Sequence, residues 1–321
     1  MDQLLAMARQ AEDTGLDPFA VGEHHTRHFI ASSPATVLAA CAALTHRIRL
    51  TSAVTLISTA DPVRTFQEFA TVDLISGGRA ELIFGRGVSP EALPMFGYDI
   101  ADYDALFVEK LQLFQQLNTQ RSVSWSGQFR TPLRNASPAP RPVQAQLPLW
   151  IGAVSPESIQ RAARLGLPLA LPMLGGTLPV YGQLARLYRR SWVEAGHKPE
   201  GMRIAAFSHL NVAATSQAAR DDYYPHYTAF FAHLAGRGGI PRPAFEQMSA
   251  PDGALILGSP QEVVDRLMRL REHTGIDRYL GQIDIGGQCP AAVAQAIELF
   301  ATRVAPVLKR ERGATAAPQG S

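Results

Sequence analysis

Five times in this chain a Ser, Asp or Cys stands directly before a proline that opens a helical run: Ser33-Pro34, Asp61-Pro62, Ser155-Pro156, Ser259-Pro260 and Cys289-Pro290. Proline suits the first helical position, where its N–H would have no partner anyway, and a Ser or Asp before it accepts from the next free amides. Between these runs lie seven short apolar segments read as strands, at 18–22, 47–55, 80–84, 148–152, 167–171, 203–212 and 277–285. A first helix precedes them, with Leu4, Leu5, Ala8 and Ala11 on one face and Gly15 as its stop. Strands alternating with helices define an α/β chain built on a parallel sheet.

Such a sheet is either open and doubly wound or closed into a barrel. An open sheet usually carries a Gly-rich phosphate loop after its first strand, and here the first strand is followed by "EHHTRHF" instead, which favours an eight-stranded barrel. Seven strands and a chain that starts on a helix place the eighth strand upstream of Met1. Two stretches break the rhythm. Residues 119–147 read as a hairpin with a Pro-rich excursion, and residues 215–253 as a polar and aromatic insertion containing "DDYYPHYTAFFAHL". Neither has a linker's composition, so one domain is expected over 1–310, with a small, polar, disordered tail over 311–321.

Thirty basic against 28 acidic residues leave a net charge of +2, which argues against nucleic acid and anionic membranes as partners and for a small-molecule substrate. The two cysteines, Cys41 and Cys289, are far apart and without ligand spacing, as in a cytoplasmic chain with reduced thiols. The N-terminus lacks the features of a signal peptide, and no window reads as a membrane span.

Reactive residues of a barrel sit where its strands end. Four features fall there: Glu23-His24-His25, Thr55, Gly85-Arg86-Gly87, and "GAVSPES" at 152–158. The last joins a strand end to a helix start, so free amides and two hydroxyls could hold a phosphate, or Ser155 could be an ordinary cap. Arg86 between glycines could pair with an anion or form a surface salt bridge. The adjacent imidazoles of His24 and His25 would point to opposite faces, with no further ligand to complete a metal set, so an acid, base or hydrogen-bonding role is favoured over metal. His209 on the sixth strand is read as a core histidine or an inward-facing one. Tyr223, Tyr224, Tyr227, Phe230 and Phe231 share one face of a helix, either for packing or as a lid.

The ordered set "EHH", "SAVTLISTADPVRTFQEFATVDLISGGRAELIFGRG", "WIGAVSPESIQRAARLGLPLAL" and "ILGSPQEVVDRLMRL" resembles the bacterial luciferase-like flavin-dependent monooxygenases, from residue 4 to about 309. The resemblance implies a TIM barrel binding FMN, or in some relatives the deazaflavin F420. It sets Ala53 and Val54 against the flavin ring across a cis peptide, puts Arg86, Gly87 and Val88 at the ring and phosphate, and gives the phosphate to Gly152, Val154, Ser155 and Ser158. His24, with His25 beside it, takes the catalytic position. A family arginine is replaced by Asp104. The resemblance further implies a flavin reductase as partner and a homodimer through the helix "SPATVLAACAALT". Hydride transfer with F420, a non-catalytic flavin-binding barrel and a metal-dependent hydrolase are the other readings.

Overall fold

The computed structural model describes residues 1–87, 92–235 and 238–316. The chain divides into two compact units, Met1–Arg9 with Asp17–Gly152, and Gln10–Leu16 with Ala153–Ser321.

After the opening helix α1 (Asp2–Asp13), the first unit holds β1 (Phe19–Val21), α2 (Pro34–Leu44), β2 (Leu50–Leu56), α3 (Pro62–Ser76), β3 (Ala80–Gly85), the short α4 (Ala92–Met95) and α5 (Tyr103–Thr119). The antiparallel hairpin β4 (Val123–Trp125) and β5 (Leu133–Ala136) and then β6 (Leu149–Gly152) follow. Strands β1, β2, β3 and β6 are parallel neighbours in that order, with Val21 beside Ser52, Ser52 beside Leu82 and Ile83 beside Trp150. A parallel strand covered on both faces is apolar throughout, and β3 is buried at every position.

Helix α3 shows how local chemistry sets the ends. The Asp61 carboxylate accepts from the Arg64 N–H at 3.0 Å, Pro62 takes the first turn, and Gly77 stops the helix at φ 68. Its Phe66 and Phe69 join Phe84 and Phe114 in a core where each ring is fully or almost fully buried. Each such ring contributes about 1.5–3 kcal/mol. Helix α2 buries Val37, Leu38 and Cys41 within its own unit, so Leu44 and small residues remain for the expected dimer contact.

Two buried charges hold this unit together. Asp73 accepts from the Ala80 N–H at 3.2 Å, the Gln144 N–H at 3.0 Å and Gln144 Nε2 at 2.7 Å. Arg79 donates to the carbonyls of Ala42, Thr45, Ile48 and Ser76 and to Thr45 Oγ1, at 2.7–3.2 Å. It thus closes the C-terminal end of α2, where carbonyls lack helical partners.

The second unit holds α6 (Pro156–Arg164), β7 (Leu169–Met173), α7 (Leu178–Glu194), β8 (Ile204–Val212), α8 (Ser216–Ala235), α9 (Arg242–Met248), β9 (Ile256–Gly258), α10 (Pro260–Thr274), β10 (Arg278–Gln282), α11 (Pro290–Leu299) and α12 (Ala305–Ala316). All five proline-led helices form, each with Pro in its first turn. The nine-residue β8 is parallel to β7 along Ile204–Ser208, to β10 along Ala205–His209 and to β9 along Leu210–Val212.

Strand β9 was not expected from the sequence. Among the described residues it is a short addition that pairs with the end of β8 alone, off the path of the seven strands read from the sequence. The tail expected to be disordered from 311 is helical as far as Ala316, and 317–321 lie outside the described residues. One stretch, Pro290–Glu311, is long and apolar enough to cross a membrane by length and composition, where no such window was expected. Its Val293, Ala296, Ile297, Ala301 and Val304 are buried, as in a core helix.

Candidate functional site

In the first unit, β1 stops at Val21 and the next four residues turn away. No strand carries the two imidazoles, so the alternation expected of them does not apply, and each has its own partner. His25 Nε2 lies 2.7 Å from Glu23 Oε1, and Glu23 Oε2 accepts from the Leu56 N–H at 3.0 Å. One carboxylate therefore ties the histidine loop to the end of β2. His24 goes the other way, stacking on Phe29 at 4.0 Å, and no hydrogen bond joins its ring to a described residue. Burial, and then the charge of His25, pull its pKa from 6.5 down to about 4, so His24 is neutral near pH 7.

Beside it lies the end of β2. Within this strand only Ala53 and Val54 are half-exposed, and the peptide between them is cis. Gly22 separates them from His24: a Cβ there would stand 3.3 Å from the Ala53 carbonyl oxygen and 3.8 Å from His24 Nε2. Val54 in turn rests on two further glycines. A Cβ at Gly85 would meet its Cγ2 at 2.6 Å and its Cβ at 3.0 Å, and one at Gly152 its Cγ1 at 3.2 Å. Valine is stiff at χ1 and cannot yield by rotation. Gly85→Ala should displace Val54 and destabilise the unit by about 1–3 kcal/mol, measured by urea unfolding; an unchanged midpoint would show that Val54 moves freely.

Arg86 is not free. Its Nη1 donates to Asp104, where the resemblance led us to expect an arginine, and its guanidinium lies 5.3 Å from the Tyr103 ring centre. An anion reaching Arg86 would compete with Asp104. Val88 lies outside the described residues. Thr55 Oγ1 and Ser58 Oγ are buried without a partner among them, and Lys110 donates to the Ser58 carbonyl at 2.6 Å under the Tyr98 ring. Burial lowers the Lys110 pKa to about 8. Lys110 escaped the sequence reading because a single lysine in an amphipathic helix gives no sign of being turned inward. No group of three His, Cys, Asp or Glu among the described residues could hold a metal.

In the second unit, Ser155 caps α6, its Oγ accepting from the Ser158 N–H at 3.3 Å and lying 3.0 Å from Ser158 Oγ. Val154 beside it is 46% exposed. The terminus offers an anion two hydroxyls and the positive end of the helix dipole. Ser155→Ala should cost about 1 kcal/mol in thermal unfolding, the ordinary loss of a cap; no loss would mean that the bond contributes nothing.

His209, on β8, has no exposed surface, and neither ring nitrogen has a hydrogen-bond partner among the described residues. The rings of Tyr227, Phe230 and Phe231 surround it at 5.2, 5.4 and 5.8 Å. Burial lowers its pKa to about 4. An unpaired polar atom so placed costs about 1–3 kcal/mol. The aromatic face read from the sequence therefore closes over this histidine.

Parallel strands joined by helices in both units define an α/β protein, with polar side chains just past β1, β2 and β6. The family model for luciferase-like monooxygenases matches residues 1–278, and the chain belongs to that family. It is 25% identical to the uncharacterised protein y4vJ of Sinorhizobium fredii, over 94% of this chain and 90% of the relative. It is 26% identical to the oxygenase component of the flavin-dependent trigonelline monooxygenase of Acinetobacter baylyi, over 89% and 84%. Among solved structures, monooxygenase RslO1 of Streptomyces bottropensis matches at TM-score 0.87 and 24% identity over 96% of this chain and 93% of that one. The oxygenating constituent of 3,6-diketocamphane monooxygenase from Pseudomonas putida, in complex with FMN, matches at 0.77 and 20%, over 95% and 92%. F420-dependent enzymes share the fold as well. These likenesses establish a luciferase-like α/β barrel fold.

Proposed function

We propose that this chain is the oxygenase of a two-component flavin-dependent monooxygenase, which takes reduced FMN from a separate flavin reductase and oxidises a small organic substrate. The observation that carries this reading is the ledge of Ala53 and Val54, the one opening in an otherwise buried strand, with the unbonded imidazole of His24 alongside. A planar ring system fits such a ledge, since the glycines behind Val54 fix its height. When bound, reduced FMN supplies two electrons to O2, so that one oxygen atom enters the substrate and the other leaves as water.

The chain's own residues do the rest. His24, neutral at pH 7, offers one donor and one acceptor at the edge of the ledge, where it can take or hold a proton. Glu23 and His25 keep the loop that bears it fixed to β2. Phe29 covers one face of the imidazole and limits the water that can reach it.

Purified protein titrated separately with reduced FMN and with F420 under anaerobic conditions tests this reading. The expected result is saturable binding of FMN at a concentration at least tenfold below that for F420, followed by oxygen uptake when air is admitted with substrate. A preference for F420 would replace oxygenation with hydride transfer. Binding of neither would overturn both.

A further inference from the structure

We infer that His209 and the aromatic face of α8 form a binding site for a phenol, with the ligand's O–H donating to the bare imidazole nitrogen. His209 is a polar side chain with no exposed surface, and both of its nitrogens lack partners among the described residues. Phenylalanine would fill the same space among rings at no such cost, so an imidazole there calls for an explanation in terms of something it binds.

The chemistry of the cage selects the ligand. A neutral imidazole has one N–H and one lone pair. Ring faces can accept the N–H weakly, and three rings stand at 76–87° to the imidazole plane. Of the three only Tyr227 carries a donor, and its O–H is directed at the Met248 sulfur, 3.8 Å away, instead of the lone pair. The unmet requirement is therefore a donor carried on an apolar, ring-shaped body, which is a phenol. An ether or ketone of the same shape brings only a second acceptor.

Access is through Phe231. Its ring is half-buried while the imidazole behind it is sealed, so a side-chain rotation would open the cage without moving β8. Tyr227 is itself backed by Tyr223 and Phe245, with ring centres 6.1 and 5.4 Å away, and all three are fully buried.

The site lies within the second unit and requires neither flavin nor oxygen, so it is tested on the protein without cofactor. The probes are p-cresol, 4-methylanisole and p-xylene, which share a shape and differ in having a donor, an acceptor only, or neither. Binding is followed by calorimetry and by the imidazole 15N resonances of histidine-labelled protein. The expected result is p-cresol bound at least tenfold more tightly than either analogue, with the lone-pair nitrogen of His209 shifted by p-cresol alone. His209→Phe should abolish the tenfold preference, retain p-xylene binding and raise the melting temperature. Phe231→Ala, which opens the cage without touching the imidazole, should keep the preference and lose it again when combined with His209→Phe. Equal binding of p-cresol and 4-methylanisole to the wild type and to Phe231→Ala, or a preference that survives His209→Phe, would overturn the proposal. Measuring FMN affinity on the same variants separates this outcome from a failure of the flavin reading.

Discussion

Replacing His24 with alanine should lower turnover with reduced FMN, oxygen and substrate by about a hundredfold to ten-thousandfold, the usual worth of a positioned acid or base. FMN affinity should stay within about twofold, because an interaction made only as the reaction proceeds does not contribute to ground-state binding. The environment of the ring fixes the pH behaviour. The native pKa is about 4 against an ordinary 6.5, so the neutral form works from about pH 5 upward, and activity dependent on it falls only as the pH approaches 4. The unfolded chain takes up this proton near 6.5 while the native chain resists it, so stability also declines as the pH falls through the interval from 6.5 to 4. Stopped-flow single turnovers of wild type and variant decide the matter. Equal rates would remove His24 from the chemistry and leave the ledge as a binding feature alone.

The largest loss of stability is expected from Arg79→Met. The side chain is only 9% exposed, and its guanidinium serves the carbonyls of Ala42, Thr45, Ile48 and Ser76. Methionine keeps much of the volume and removes every donor, leaving several buried acceptors unpaired, for a cost of about 3–5 kcal/mol. Urea denaturation should show the midpoint lowered with the slope unchanged. A loss below about 1 kcal/mol would mean that water replaces the guanidinium at the end of α2.

What could be read from the sequence was what is local. Proline at a helix start, Asp61 before it and Gly77 after it act within one turn, and all five proline-led helices formed where they were expected. The opposite faces expected of His24 and His25 assumed a continuing strand, and β1 ends at Val21, so their different partners come from the loop instead. Long-range pairings could not be read in this way. Asp104 was identified as a lost arginine, but its ion pair with Arg86 bridges 18 positions and comes from the return of α5 toward the end of β3. Arg79 looked like any arginine before a strand until the end of α2 was brought to it. Strand β9 was missed because three residues running straight into Ser259-Pro260 are too short to show a period of their own. The orphan state of His209 depends on three rings arriving from another element, which no spacing encodes.

The tandem pairing on β8 has one more consequence. With Leu210 beside Ile256 and Val212 beside Gly258, the chain leaves the sheet and re-enters it at adjacent points, so the insertion between Thr215 and Gly253 starts and ends on one closed base. The cost of closing such a loop grows only with the logarithm of its length. The segment therefore behaves as a cassette. Evolution could lengthen, shorten or exchange it to suit a different substrate while the strands beneath keep their register, and a chimaera engineered at those two points would inherit the same freedom.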